Sequence, residues 1–150
     1  MERSDLLSVT AYEPVSRPFG ADALEPLRQA GDDLDRAVEI VNRVMSGFSA
    51  EYVEQLRRSP AWPVLRPLAR PLAAELAALH AFAPAFDRYP DITAPVTLLL
   101  GDLNLGTAPY GTAFEAFERA LPRAHRVVMP GQGHLAHAQA PEVLAKYLLP

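Results

Sequence analysis

Three short stretches of the chain are dense in apolar and β-branched residues, whereas the region between the first and the second repeats its apolar positions every three or four residues. Residues 5–12 (DLLSVTAY) read as a buried strand that closes at Glu13-Pro14, because proline has no N–H to continue a ladder. Residues 94–100 (APVTLLL), bounded by Pro95 and Gly101, have the continuous apolar pattern of a strand covered on both faces. Residues 126–129 predict a third strand, which leads straight into PGQGH. Between the first two, Asp32 after Gly31 is placed to cap a helix carrying Leu34, Val38, Val41 and Met45, with Glu39 and Arg43 four apart and Gly47 as its stop. Ser49 can cap a second helix over 50–58, apolar through Val53 and Leu56. From Ser59 to Phe86 the chain is rich in Ala and Leu. Pro60, Pro63, Pro67, Pro71 and Pro84 divide it into short helical pieces, the longest marked by Leu72, Leu76 and Leu79. After the loop GDLNLGTAPYGT comes a helix over 113–120 with Phe114 and Phe117 inward. Pro141 starts the last helix, with Val143, Leu144 and Tyr147 on its apolar face.

Strand, helix, strand, helix with short connections predicts parallel strands and an α/β fold class. The expected division is a core strand in 1–19, a helical insert over 20–90, and further strands and helices of the same core in 91–150. Composition narrows the possibilities. Of the 150 residues 49% are apolar and 21% charged, which fits a globular chain and not a disordered one. The net charge of −4 gives no basic footprint, so no nucleic acid is expected as a partner. With no cysteine there is no thiol nucleophile and no thiolate zinc site. No apolar run nears the roughly 18 residues of a membrane span, and MERSDLLS has no signal-peptide core, so the expectation is a cytoplasmic chain with no membrane partner. Of the 15 prolines, four stand around the strands (Pro14, Pro95, Pro130, Pro141) and five run through the insert from Pro60 to Pro84, which describes a lid of short helices and not a linker.

In an open parallel sheet, functional groups collect beyond the carboxyl ends of the strands. Here those ends carry Glu13, then Asp102 and Asn104, then His134, whose neighbours Gly131 and Gly133 leave the imidazole little steric cover. A carboxylate and an imidazole at one sheet edge are the orienting and proton-transferring parts of a nucleophile machine. Each also has an ordinary reading: a solvated His134, a Glu13 bonded to loop amides, an Asp102 serving its turn. His137 lies in the following helix turn, and His80 and His125 read as structural or surface residues. There is no GxGxxG or GxxxxGK[ST] loop, no HExxH and no metal-spaced cluster, so neither a cofactor nor a metal is expected.

With APVTLLLGD and PGQGH134 in this order, the chain resembles the C-terminal part of an α/β-hydrolase. YEP at 12–14 is similar to the end of the family's sixth strand, 20–90 to its helical cap, APVTLLLG to its seventh strand, and RVVMPGQGHLAH to its eighth with the histidine turn. The resemblance implies a sheet of about three parallel strands with a cap insert, and His134 as general base. The cap then covers an apolar substrate pocket partly lined by Trp62, Phe82 and Phe86. For any one of these aromatics, ordinary helix packing is the simpler reading.

Two departures shape the expectation. Where many members carry an aspartate three residues after the glycine ending the seventh strand, this chain has Asn104, and Asp102 follows Gly101 directly. Some branches take the acid from the end of the sixth strand, the place of Glu13, which is preferred here over Asp102. The family's GxSxG elbow is also missing: Ser4, Ser8, Ser16, Ser46, Ser49 and Ser59 all lie outside such a setting. The expected function is therefore that of the C-terminal part of a hydrolase, from a truncated or split coding sequence. Its intact form cleaves an ester or related acyl bond of a small apolar substrate, and the part alone is inactive. The alternative is a non-catalytic module that binds an apolar ligand or a partner chain, with self-association or a complementing N-terminal half as the partner.

Overall fold

The computed structural model describes residues 6–148; Ser4 and Asp5, the first residue of the expected opening strand, lie outside the described residues. Two compact units emerge, one from 6–15 with 84–148 and the other from 16–83. The first holds a sheet of three parallel strands in the order β1 (Val9–Tyr12), β2 (Val96–Gly101), β3 (His125–Met129). Val9 pairs with Val96, and Gly101 with Met129, so all three strands end at the same edge.

Apart from Thr97 the central strand is without polar side chains, because both faces of its buried part are covered. Leu98 and Leu100 point one way and pack with Phe114 of α6 (Tyr110–Ala120). Leu99 points the other way and packs with Met129 and with Leu144 of α8 (Pro141–Leu148). Alternation with period two on a strand buried on both sides is what a parallel sheet requires. α6 starts three residues earlier than the sequence pattern suggests, since Pro109 already holds the dihedral of a helix entry. A short helix, α7 (Ala136–Gln139), follows the turn after β3.

The second unit is helical, with α1 (Ala21–Ala30), α2 (Leu34–Ile40), α3 (Ala50–Arg57), α4 (Trp62–Ala69) and α5 (Leu72–Ala81) around a core that includes Leu27, Val38, Ile40, Val53, Trp62 and Leu76. The cap of the second of these helices is Asp33, not Asp32: its carboxylate accepts from the Arg36 amide at 3.0 Å. The helix then widens into a π-helical turn over Val41–Met45. Ser49 caps the third as expected, accepting from Tyr52 at 3.1 Å. Pro71 bounds the last helix, whereas Pro67 lies inside the fourth and removes one of its backbone bonds. No helix of the described residues is long and apolar enough to cross a membrane.

Candidate active site

The end of β1 delivers Tyr12 and Glu13, the end of β2 delivers Gly101, Asp102 and Asn104, and the turn after β3 delivers His134. Close approach between the last two turns depends on glycine. A Cβ on Gly101 would lie 2.3 Å from the Gln132 carbonyl oxygen, and one on Gly111 would lie 2.0 Å from that of Asn104. These positions let the histidine turn and the start of α6 close down on the β2 turn.

Glu13 is the centre of the arrangement and is buried, 2% exposed. Its Oε1 accepts from the Gly101 amide at 2.9 Å and from Asn104 Nδ2 at 3.0 Å. Its Oε2 accepts from Asn104 Nδ2 at 3.0 Å and lies 2.9 Å from His134 Nδ1. Burial alone would raise the carboxyl's pKa, but the bonds from His134, Asn104 and Gly101 outweigh it and hold the group below its ordinary value of 4.5. Glu13 is thus ionised at neutral pH and can only accept, so the His134 proton sits on Nδ1 and is donated to Glu13. The lone pair is left on Nε2, which no hydrogen bond among the described residues engages. The imidazole is about one-third exposed, so an incoming group can reach it.

Asp102 and Asn104 take roles that residue type and strand position do not reveal. The Asp102 carboxylate is exposed and accepts from the Gly131 amide at 2.8 Å, which ties the histidine loop to the β2 turn. The carboxylate on the imidazole is that of Glu13. Asn104, unsuited to be the acid, donates to both oxygens of the residue that holds the charge.

Two tyrosines complete the surroundings, and neither stands out in the sequence. The Tyr12 hydroxyl donates to the Gly133 carbonyl and accepts from the Ala136 amide at 3.4 Å, spanning the histidine turn. Burial raises the phenol's pKa above its ordinary 10.0, which keeps it a donor; the Ala136 bond acts in the opposite sense and the Glu13 charge adds to the rise. The Tyr110 ring stacks on His134 with centroids 3.8 Å apart and planes 10° from parallel. His137 lies on the next helical turn with its Nδ1 3.2 Å from the His134 carbonyl.

The three aromatics expected around a pocket have different settings. Trp62 is buried in the helical unit, its Nε1 donating to Asp35 at 2.6 Å and its face under the Arg57 guanidinium at 4.5 Å, so it is a packing residue of that unit. Phe82 is 59% exposed just after the last helix of that unit. Phe86 belongs to the other unit and packs edge-on against Phe117. His80 Nε2 donates to the Phe19 carbonyl at 2.9 Å, a bond within the helical unit. Among the described residues no cluster could hold a metal ion.

No protein-family model matches the chain, and no curated protein matches it in sequence. Solved structures do. An α/β hydrolase from Sphaerobacter thermophilus DSM 20745 is similar over 95% of this chain and 57% of its own, at 20% identity and a TM-score of 0.67. An α/β-hydrolase enzyme from a Medee basin deep-sea metagenome library is similar over 95% of this chain and 54% of its own, at 14% identity and a TM-score of 0.63. A thermophilic esterase is similar at 19% identity and a TM-score of 0.52, with 56% of its length covered. At such identities the likeness is one of backbone architecture: this chain has the α/β-hydrolase fold, over a stretch that spans little more than half of each protein it resembles.

Proposed function

We propose that this chain carries the base and acid of a hydrolase that cleaves an ester or related acyl bond of a small apolar substrate, His134 being the base and Glu13 its acid partner. The nucleophilic hydroxyl comes from a segment outside these 150 residues. The observation that supports this is the 2.9 Å contact from the buried Glu13 carboxylate to His134 Nδ1, which leaves the Nε2 lone pair unengaged.

The chemistry follows from that tautomer. Nε2 removes the proton of a hydroxyl as the hydroxyl oxygen bonds to the acyl carbon. The imidazolium so formed is stabilised by Glu13, and it then gives the proton to the departing alkoxide. Water repeats the exchange to release the acid. Tyr12 and Asp102 hold the backbone of the turn on which the base rides, so that the ring keeps its place through both transfers.

The test is hydrolysis of short p-nitrophenyl esters, by the chain alone and by the chain together with the product of the coding sequence immediately upstream. No turnover is expected from the chain alone. Turnover that appears with a GxSxG-bearing segment and disappears with His134→Ala supports the reading. Turnover by the chain alone, titrated by a serine-directed phosphonate, overturns it.

A second reading has support of its own. Val9 and Glu13 amides bond toward β2, so those of Thr10 and Tyr12 point to the other edge of β1, where no strand of the described residues pairs. Exposed Leu103 (67%) and Leu135 (41%) flank the site turns. Such an edge and rim suit a partner chain that completes the sheet, with or without catalysis. A mass by light scattering that rises with concentration supports this; a monomer at every concentration that captures no upstream product counts against it.

A further inference from the structure

We propose that Tyr110 is a positioning residue for His134 that stabilises the ring in its imidazolium form through the face of the phenol. The inference rests on the reading of His134 as a proton acceptor and deepens it. Two rings at 3.8 Å and 10° are in full face contact, which also fixes the plane of the imidazole. The face of an aromatic ring is the negative side of its quadrupole, so the contact strengthens when the imidazole becomes a cation. A contact that is stronger in the charged state favours the proton-accepted form that Nε2 reaches during hydrolysis, and so acts on the barrier and not on resting affinity.

The ring is held there by backbone. Tyr110 is the first residue of α6, and the next residue, Gly111, lies so close to the Asn104 carbonyl that a Cβ would stand 2.0 Å from it. The Gly111 amide also donates to the Thr107 carbonyl at 2.9 Å. The start of α6 is thereby fixed to the same β2 turn that positions Glu13 through Asn104. Glu13 holds the imidazole at its Nδ1 edge, and Tyr110 holds it by its face.

Other groups also act on this titration. From the end of β1 come Glu13 at 2.9 Å and Tyr12 with its ring 6.1 Å away, from the helix after the turn comes His137 with its ring at 6.4 Å, and from the β2 turn comes Asp102, which holds the Gly131 amide. An experiment must therefore alter the face of residue 110 and leave these unchanged.

Phenylalanine and its 3,4,5-trifluoro analogue placed at position 110 meet that condition, since the two rings have nearly the same shape while the fluorines withdraw most of the negative charge from the face. The readout is the His134 titration, followed by imidazole ¹⁵N and ¹H shifts in the full chain. Tyr110→Phe is expected to leave the midpoint where it is, and the fluorinated ring to lower it by about 0.4 to 0.7 of a pH unit relative to phenylalanine. Equal midpoints in the two variants, or a rise on fluorination, overturn the proposal, because mere packing by residue 110 predicts no dependence on ring charge. The low-field Nδ1–H signal serves as the second measurement. Its presence beside equal midpoints removes the role of Tyr110 and leaves the Glu13–His134 pair intact. Its absence in the unsubstituted chain overturns both.

Discussion

Replacing Asn104 by aspartate tests the charge logic of the site, because it turns a donor to Glu13 into a second acceptor. The side-chain nitrogen of Asn104 lies 3.0 Å from both carboxylate oxygens of Glu13. Two full charges at that separation repel by about 5 kcal/mol at an effective dielectric near 20. The pair avoids this by keeping one proton between them. Holding a proton at pH 7 on a carboxyl that would ordinarily lose it near 4 costs about 4 kcal/mol. The cheaper route decides, and residue 104 is half-buried, so partial screening lowers the expected loss to about 2–4 kcal/mol at pH 7.

The sign of the pH dependence is the sharper readout. In the natural chain Glu13 titrates below its ordinary 4.5, so the unfolded state binds more protons in that window, and stability present above it is lost as pH falls through the folded value. In Asn104→Asp the shared proton raises a folded-state value, the folded state binds more protons, and stability falls as pH rises toward neutrality. Urea unfolding followed by circular dichroism from about pH 4 to pH 8 measures both. Equal stability of the variant across that range, parallel to the natural chain, refutes the view that residue 104 must be a donor.

Glu13→Gln presents an amide NH2 to donors that now face an oxygen. The imidazole answers by moving its proton to Nε2, visible in the ring ¹⁵N shifts, with about 1–3 kcal/mol lost in urea unfolding; a proton still on Nδ1 contradicts the assigned tautomer. Gly101→Ala drives a methyl to within 2.3 Å of the Gln132 carbonyl oxygen, so the histidine turn must move. A loss of about 1–3 kcal/mol and a weakened Nδ1–H signal are expected, and unchanged spectra of the turn refute the close approach. Trp62→Phe removes the donor to Asp35 while Arg66 remains 3.3 Å from that carboxylate, so a loss of about 1 kcal/mol with an unaltered His134 titration is expected. A shifted titration would tie Trp62 to the site.

The strands and the three groups at their ends were legible because they depend on local pattern. Three consecutive leucines between Pro95 and Gly101 leave little choice but a strand covered on both faces, Glu13 directly follows β1, and His134 lies in the short glycine-bearing turn after β3. What was not legible depends on contacts distant in sequence. Asn104 meets Glu13 across 91 positions and Tyr12 meets Gly133 across 121, so neither role can be read from a neighbourhood. Trp62 looks like any apolar residue until Asp35 is found at its indole nitrogen. Asp32 and Asp33 are equally good caps on paper, and only the bond from the Arg36 amide to Asp33 decides between them.

The backbone at Glu13 explains how one strand end can serve the histidine turn twice. Successive residues of an extended strand point to opposite faces, so Tyr12 and Glu13 could not both reach one loop if β1 simply continued. Glu13 has φ of 43°, in the left-handed region that a glutamate enters at a cost of roughly 1–2 kcal/mol. Pro14 adds to that cost, because a residue before proline favours extended backbone. The four hydrogen bonds to the Glu13 carboxylate offset that cost. The conformation brings Tyr12 to the backbone of the loop and Glu13 to the imidazole at its tip. A side chain at position 13 pointing as an extended strand directs it would miss the imidazole, and the same turn of the chain that strains the backbone sets the carboxylate 2.9 Å from His134 Nδ1.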